Sequence, residues 1–206
     1  MRDIRTALPA SKLNELAALE GLVSSEVGEA LAALAYDVLS RHAIVEVGSY
    51  RGKSTAYLAA GSAVGGGAPV FAVDPWDTPG NMTGRFGFAD PVTLEAFRLQ
   101  VDAVGLSFMV TPLRGFSVDV ARHWQRPIGL LYIDGSHLEK DVRADFAAWA
   151  PYLAPNAVVA FDDYRTPRNP GVAHVVDALK GDPRFGEWHD GPAPLTCGRW
   201  LGGRHA

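Results

Sequence analysis

The chain has 206 residues, of which 48% are hydrophobic and 20% are charged, and its formal net charge is −4. This length and composition suit one folded domain, or one domain with a helical appendage. No basic block of the kind that follows a phosphate backbone is present, so nucleic acid is not expected as a partner. The lone cysteine, Cys197, excludes an internal disulfide, and no apolar stretch is long enough to cross a membrane. We therefore expect a cytoplasmic protein with no membrane partner.

Apolar residues recur at three- and four-residue spacing over the first forty residues, which predicts helices. Leu13 and Leu16 belong to one such series, and Ser24 is placed to cap a second series that contains Val27. This region precedes the first predicted strand, and its apolar faces must be buried against something. We expect residues 1–42 to form a lid over the functional site and a contact in a homodimer, and residues 43–206 to form the main domain.

From residue 43 onward, short apolar runs alternate with helical stretches. Strands are predicted over 43–47, 70–73, 108–111, 128–133 and 157–161, and helices over 53–63, 92–104, 117–124, 138–152 and 172–179. This alternation implies right-handed crossovers and a mostly parallel sheet that is covered on both faces. Two weaker strands, 185–189 and 196–201, have no helix between them and are predicted to form an antiparallel hairpin at one edge. The fold class is thus α/β, with a doubly wound, mostly parallel, seven-stranded sheet.

In open parallel sheets, ligands bind beyond the carboxyl ends of the strands, so the residues that follow each strand are candidate site residues. After the first strand, Gly48 and Gly52 permit a tight turn, and the next helix presents free N–H groups at Ser54 and Thr55. This spacing is neither the Gly-x-Gly-x-x-Gly of dinucleotide sites nor a Walker loop. The second strand ends in Asp74, which is placed either to accept hydrogen bonds from a ribose diol or to cap a turn.

Acidic motifs follow the fourth and fifth strands, as Ile-Asp-Gly-Ser-His (133–137) and Phe-Asp-Asp-Tyr (161–164). Together with Glu-Val-Gly (46–48) and Asp74, these motifs resemble those of class I S-adenosylmethionine-dependent methyltransferases. More narrowly, the chain is similar to the small O-methyltransferases of antibiotic pathways, and phosphonate O-methyltransferases of the dehydrophos type are a candidate subgroup. The resemblance extends over residues 43–164 and depends on four motifs, each at the end of a strand.

The resemblance and the positions of the strand ends together imply a set of site residues. The residues expected to bind S-adenosylmethionine are Glu46, Gly48, Ser49, Gly52, Ser54, Thr55, Asp74, Trp76, Gly115, Phe116, Ser117 and Asp134. In metal-dependent members of the family, residues in the positions of Asp134, Asp162 and Asp163 bind Mg²⁺. A histidine in the position of His137 is the general base in some of these enzymes, so His137 and Asp134 are the candidate catalytic residues.

Electrostatics agrees with a cation at this position. Three carboxylates in one crevice repel one another unless a hard divalent cation or hydrogen bonds offset their charge. A metal would also align an acceptor hydroxyl and lower its pKa, while a neutral imidazole removes the proton. The alternative is that Asp134 only positions backbone or cofactor, and that Asp162 caps a turn.

Basic residues after the fifth strand are candidates for binding the methyl acceptor. Arg165, Arg168 and Lys180 would attract an anionic acceptor if they face the crevice, because arginine matches carboxylate and phosphonate oxygens. The alternative is an ordinary solvated face. The aromatic candidates for the wall of the site are Tyr36, Trp76, Phe86 and Phe88.

The leading functional hypothesis is an S-adenosylmethionine-dependent O-methyltransferase acting on a small polar metabolite, with a carboxylate or phosphonate as the acceptor group. The first alternative is Mg²⁺-dependent methylation of a neutral sugar or phenol hydroxyl. Two remoter alternatives are a nicotinamide-dependent oxidoreductase and an inactive cofactor-binding regulatory subunit. The glycine spacing disfavours the oxidoreductase, and the group of Asp134, His137, Asp162 and Asp163 disfavours the regulatory subunit, which has no need of a base.

Overall fold

The computed structural model describes residues 2–76 and 93–202. The strands are β1 (Ala43–Val47), β2 (Val70–Asp74), β3 (Val110–Arg114), β4 (Ile128–Ile133), β5 (Leu153–Phe161), β6 (Phe185–Asp190) and β7 (Thr196–Trp200). The α-helices are α1 (Ala10–Ala17), α2 (Ser25–Tyr36), α3 (Lys53–Val64), α4 (Leu94–Ala103), α5 (Ser117–Ala121), α6 (Glu139–Trp149) and α7 (Pro170–Lys180). Over these two ranges, no helix is long and apolar enough to cross a membrane.

The seven strands form one sheet in the order β3-β2-β1-β4-β5-β7-β6. The first five strands are parallel, and β7 is antiparallel to both of its neighbours, β5 and β6. The predicted α/β fold, with its mostly parallel seven-stranded sheet and C-terminal hairpin, is confirmed. Because β2 lies on one side of β1 and β4 lies on the other, the chain reverses direction across the sheet at β1, which opens a crevice at the carboxyl ends of β1 and β4.

Two strands, β3 and β5, differ from the prediction by more than one residue at an end. β3 begins at Val110 because residues 107–109 form a 3₁₀ turn, and it continues through Pro112 to Arg114. A proline is tolerated there because β3 is an edge strand that pairs only with β2. β5 begins four residues earlier than predicted, and a register shift against β4 absorbs its irregular start.

The hydrophobic core lies on both faces of the sheet. Ile44 and Leu130 belong to the cluster that includes α2 and α3, whereas Val45 and Leu131 belong to the cluster that includes α6 and α7. All five residues of β1 are buried. Burial on both faces explains why several of the parallel strands, such as β4, are continuous apolar runs in the sequence rather than alternating ones.

Helix α2 packs along α3 as a part of this core. A β-carbon on Gly61 of α3 would lie 2.0 Å from the carbonyl oxygen of Ala32, so the two helices approach more closely than a larger residue would allow. Gly28 lies against Tyr57 in the same way, one turn earlier on each helix. Seven of the twelve residues of α2 are buried. Helix α2 is therefore part of the core that covers the sheet, and the lid and dimer contact predicted for residues 1–42 stay predictions.

Helix α1 and the turn that follows it lie closer to the crevice. Lys53 at the start of α3 donates a hydrogen bond from Nζ to the carbonyl oxygen of Ala17 at 3.1 Å. Glu20 forms an ion pair with Arg51, with 2.5 Å between Oε2 and Nη1, and its carbonyl oxygen accepts a hydrogen bond from Gln100 at 2.8 Å. These contacts connect the end of α1 and the turn after it with the start of α3 and with α4, beside the glycine turn.

Candidate active site

A cavity of about 1060 Å³ opens at the carboxyl ends of the parallel strands. The glycine turn and the end of β2 contribute residues such as Gly48 and Asp74, and the segment after β3 contributes residues 116–118. The segment after β4 contributes residues 134–139, and the start of α7 contributes residues 168–171. The cavity therefore extends from the predicted cofactor residues to the predicted acceptor residues, as expected for a site that brings two ligands together.

The glycine turn after β1 depends on backbone conformations that other residues rarely adopt. Gly48 and Gly52 have φ values of +85° and +89°. A β-carbon on Gly48 would lie 2.2 Å from the carbonyl oxygen of Asp134. Only glycine lets the end of β1 approach the end of β4 this closely, so Gly48 fixes the floor of the crevice.

Asp74 holds this turn against β2. Its Oδ2 accepts hydrogen bonds from the backbone N–H groups of Ser49 at 3.1 Å and Tyr50 at 3.0 Å, and its Oδ1 accepts one from Trp76 at 2.9 Å. The side chain is 8% exposed and lines the cavity. A carboxylate oxygen can accept more than one hydrogen bond, so Asp74 is able to hold the turn and to bind a ribose hydroxyl. The first role is observed, and the second stays a prediction.

Glu46 lies beneath the turn and is completely buried. The hydroxyl of Thr55 donates a hydrogen bond to its Oε2. Burial raises the pKa of Glu46 to about 7, while the hydroxyls of Ser54, Thr55 and Ser49 oppose this rise. None of these four residues lines the cavity. They form a buried polar layer that supports the turn from below, and their predicted contact with the cofactor stays a prediction.

Trp76 is buried in the core and is not among the described residues that line the cavity, so its predicted contact with S-adenosylmethionine stays a prediction. Its side chain is fully buried, its ring lies 4.8 Å from that of Phe97, and its Nε1 donates a hydrogen bond to the carbonyl oxygen of Tyr50 at 2.8 Å. It therefore stabilises the turn from the core side. Phe86 and Phe88 lie outside the described residues.

The segment after β3 lies where the sequence predicts it. Gly115 donates a backbone hydrogen bond to the carbonyl oxygen of Asp74 at 3.0 Å, which joins this segment to β2. Phe116 is 61% exposed and lines the cavity together with Ser117. The hydroxyl oxygen of Ser117 accepts a hydrogen bond from the indole of Trp149 at 2.8 Å.

Asp145, which the sequence interpretation missed, also lines the cavity. It is 7% exposed, and burial raises its pKa to about 6, although the hydroxyl of Ser117 opposes the rise. A signal was present in the sequence, because Asp145 interrupts an apolar helical stripe formed by Val142, Phe146 and Trp149. Burying an acidic residue in such a stripe costs free energy unless the carboxylate has a hydrogen-bond partner or an opposite charge.

Asp134, His137 and Asp163 come together at the ends of β4 and β5. Nε2 of His137 lies 2.8 Å from Oδ2 of Asp163 and 3.9 Å from Oδ1 of Asp134. Tyr132 donates a hydrogen bond from its hydroxyl to Oδ2 of Asp134 at 3.1 Å. Asp162 is not part of this group, and its buried Oδ1 has no hydrogen-bond partner among the described residues.

The charges of this group are strongly coupled. The interactions with Asp134 and with Asp163 raise the pKa of His137 to about 9. The contact with His137 lowers the pKa of Asp163, whereas burial raises the pKa of Asp134. Burial, followed by the charges of Asp134 and Asp163, raises the pKa of Asp162 to about 8. His137 is therefore a cation at neutral pH in this arrangement, and it differs from the neutral imidazole that the sequence predicts as the base.

The same group fits a divalent cation. Ligand atoms of Asp134, His137 and Asp163 all lie within 4.8 Å of one another, and the hard carboxylate oxygens are those that Mg²⁺ prefers. The buried, unpartnered Oδ1 of Asp162 lies on the neighbouring residue. Asp134 and Asp163 are thus the residues that would hold the metal, and Asp162 is the weaker part of the predicted set.

Of the three predicted basic residues, only Arg168 lines the cavity. Arg165 lies 3.7 Å from Asp190, measured from Nη1 to Oδ2, and is 69% exposed. Lys180 donates a hydrogen bond to the hydroxyl of Tyr164 at 3.0 Å and lies 3.5 Å from Asp190. Asp190 on β6 lies near both cations, and neither Arg165 nor Lys180 lines the cavity, so their binding of the acceptor stays a prediction.

Tyr36, also predicted to lie at the site, is not among the residues that line the cavity, and its contact with the acceptor stays a prediction. Its carbonyl oxygen accepts a hydrogen bond from Gly66 at 2.8 Å, just beyond the C-terminus of α3. Because α3 begins at the glycine turn and runs back across the sheet, its C-terminus lies at the opposite edge from the cavity. Arg2 covers the ring of Tyr36 at 4.3 Å.

A family model described as a methyltransferase domain matches residues 45–164, which is more than half of the chain. The chain therefore belongs to this methyltransferase family. The resemblance to methyltransferases that the strand-end motifs indicated is confirmed. The alternative hypothesis of a nicotinamide-dependent oxidoreductase is wrong. A stretch of 36 residues is 50% identical to the uncharacterised protein y4gI of Sinorhizobium fredii (strain NBRC 101917 / NGR234). That match covers 18% of this chain and only 4% of y4gI, so it adds nothing on function.

Solved structures of methyltransferases share the fold. The O-methyltransferase NovP is 17% identical, with a TM-score of 0.71 over 87% of this chain and 81% of NovP. TomG from Streptomyces achromogenes, an O-methyltransferase in complex with S-adenosylmethionine, is 18% identical, with a TM-score of 0.66 over 98% and 91%. An O-methyltransferase from Bacillus cereus in complex with S-adenosylhomocysteine is 18% identical, with a TM-score of 0.65 over 95% and 94%. At these identities the likeness concerns the fold.

Proposed function

We propose that this methyltransferase uses S-adenosylmethionine to methylate an oxygen atom of a small anionic metabolite, with a carboxylate or phosphonate as the acceptor group. One observation carries the proposal: a single cavity connects the glycine turn and Asp74 with Arg168, Asp134 and His137. NovP, TomG and the Bacillus cereus protein are all O-methyltransferases, and two of them are bound to S-adenosylmethionine or its product. Their common fold supports the cofactor and the type of transfer.

The cofactor end of the cavity is formed by Gly48, Asp74 and Phe116. When bound, S-adenosylmethionine supplies a methyl group on a positively charged sulfur. Gly48 leaves room for the ligand close to the backbone, and Asp74 presents carboxylate oxygens to the ribose. The exposed ring of Phe116 offers an apolar surface to the adenine.

The acceptor end is defined by Arg168, which makes no ion pair with the described residues and opens onto the cavity. A guanidinium forms paired hydrogen bonds with carboxylate and phosphonate oxygens. Methyl transfer is an in-line displacement, and an acceptor that is already anionic needs alignment but no general base. In this scheme Arg168 holds the acceptor, and the end of β4 aligns the reacting oxygen.

A second candidate function is Mg²⁺-dependent methylation of a neutral sugar or phenol hydroxyl. The convergence of Asp134 and Asp163 favours it, since these residues would hold the metal. The metal would lower the pKa of the acceptor hydroxyl. His137 would have to lose its own proton before it could act as the general base. A homodimer, a cytoplasmic location and a role in antibiotic biosynthesis stay predictions.

The proposal is tested by supplying radiolabelled S-adenosylmethionine with matched carboxylates, phosphonates and neutral hydroxyl compounds. We expect label in the anionic compounds, and Arg168→Ala should raise the KM for the acceptor at least tenfold with little change in the KM for the cofactor. Arg122→Ala is the control, because Arg122 is exposed and forms an ion pair with Asp119, and neither residue lines the cavity. If only the hydroxyl compounds become labelled, or if Arg168→Ala leaves the KM for the acceptor unchanged, the anionic acceptor is wrong and a neutral hydroxyl acceptor takes its place.

A further inference from the structure

Asp145 is a buried acidic residue to which the proposed reaction assigns no role. It is the single charged member of the buried face of α6, which otherwise consists of Val142, Phe146 and Trp149. The apolar members of this face join the core between α6 and the sheet. Asp145 is only 7% exposed, and it lines the wall of the cavity.

The orientation of Asp145 is set by a chain of polar contacts. The indole of Trp149 donates a hydrogen bond to Oγ of Ser117 at 2.8 Å, which leaves the hydroxyl proton of Ser117 available to the carboxylate. The same hydroxyl favours the ionised form of Asp145. On its other side, Oδ2 of Asp145 lies 3.7 Å from the place that a β-carbon on Gly135 would occupy. The carboxylate therefore lies between the segments that follow β3 and β4.

This position belongs to the nucleoside part of the cavity. Ser117 is two residues from Gly115, which is hydrogen-bonded to the backbone of Asp74. With the ribose at Asp74, as proposed, the adenine would lie along the segment after β3, where Phe116 and Ser117 line the same cavity. The carboxylate accepts hydrogen bonds and has none to donate while it is ionised. The part of a purine that matches such a group is an exocyclic amino group.

We propose that Asp145 is a specificity-determining residue that accepts a hydrogen bond from the exocyclic amino group of the adenine. The inference rests on the proposed use of S-adenosylmethionine. A purine with an oxygen in place of the amino group puts a second hydrogen-bond acceptor against the carboxylate of Asp145. The purine oxygen and the carboxylate are then both buried without a donor. Asp145 thus selects adenine nucleosides and rejects 6-oxopurine nucleosides.

The experiment compares two ligands by calorimetry: S-adenosylhomocysteine and S-inosylhomocysteine, in which oxygen replaces the amino group. The unaltered protein should prefer the adenine compound at least tenfold. Asp145→Asn keeps the shape of the side chain and adds a donor, so the preference should fall at least fivefold. Asp141→Asn is the matched control on the same helix, because Asp141 also lines the cavity but its carboxylate accepts a hydrogen bond from Ser136. It should keep the preference.

The outcomes separate this inference from the proposed function. If the unaltered protein binds neither ligand, the proposed cofactor is wrong, and the inference is lost with it. If it binds S-adenosylhomocysteine and Asp145→Asn weakens both ligands equally, Asp145 is structural and only the inference is overturned. Asp145→Ser, whose hydroxyl both donates and accepts, provides the same test should Asp145→Asn fail to fold. An unchanged preference in Asp145→Ser would also overturn the inference.

Discussion

His137 and Asp163 connect the ends of β4 and β5, with 2.8 Å between Nε2 and Oδ2. Asp163 also accepts hydrogen bonds from Asn169 at 2.7 Å and from Thr166 at 3.1 Å, and its φ is +56°. The carboxylate is therefore fixed by the segment that leads into α7, while His137 supplies the opposite charge. The two carboxylates raise the pKa of His137, so His137 stays protonated as long as no other cation neutralises these carboxylates.

The role of this contact is tested by His137→Ala. With an anionic acceptor no proton has to be removed, and we expect kcat to fall by less than about tenfold. A hydroxyl acceptor that depends on His137 as its base would instead lose roughly 10²–10⁴-fold in kcat. Steady-state kinetics at saturating acceptor distinguishes the two cases, and His174→Ala, a second histidine on the cavity wall, serves as the control.

The metal hypothesis gives a separate prediction. If Asp134 and Asp163 hold Mg²⁺, exhaustive treatment with EDTA should abolish turnover and added Mg²⁺ should restore it. Mg²⁺ alone should also raise the Tm, since a ligand that binds only the folded state stabilises it. Asp163→Asn should lose this rise, whereas Asp119→Asn, which alters an exposed ion pair with Arg122, should keep it. Full activity in EDTA together with an unchanged Tm would discard the metal.

Asp74→Ala should affect both binding and stability. Loss of the carboxylate removes its predicted hydrogen bonds to the ribose, so the affinity for S-adenosylhomocysteine should fall at least tenfold, which is about 1.4 kcal/mol. It also leaves the buried N–H groups of Ser49 and Tyr50 without their acceptor, which should lower the free energy of unfolding by about 1–3 kcal/mol. Calorimetry and chemical denaturation measure the two effects. Lower stability with unchanged affinity would make Asp74 a turn-holding residue only.

The sequence predicts the fold well because strand ends and helix starts leave local signals. Several parallel strands, such as β4, are continuous apolar runs, and Gly48 marks the turn where β1 ends. The boundary of β3 was missed because Pro112 normally ends a strand, and only its place at the sheet edge makes it acceptable. Edge position is a property of the whole sheet, which no local window contains.

The site was predicted less completely, and the reason is again non-local. Gly48, Asp74, Asp134 and His137 were found because they follow strands directly. Whether a cation faces the cavity depends on a partner far along the chain, as with Lys180 and Asp190. The same holds for residues that arrive on a helix, such as Asp145, whose partner Ser117 follows a different strand.

Glu46 gives a prediction on the pH dependence of stability. Burial raises its pKa to about 7 from an ordinary value near 4.5, so between these two pH values the folded state binds more protons than the unfolded state. The free energy of unfolding must then fall as the pH rises. The contribution of a protonated Glu46 is complete below about pH 4.5 and is lost as the pH rises through about 7.

Glu46→Gln removes this titration while keeping a side chain that can accept the hydrogen bond from Thr55. We expect the variant to lose less stability than the unaltered protein between pH 5 and pH 8, a difference of up to about 3 kcal/mol. Chemical denaturation at closely spaced pH values measures it, and the exposed Glu95→Gln is the matched control. Other buried groups, such as Asp162, titrate in both proteins and cancel in the difference. Parallel stability curves for the two proteins would mean that Glu46 is ionised in the folded state, with the hydroxyls beneath the glycine turn offsetting its burial.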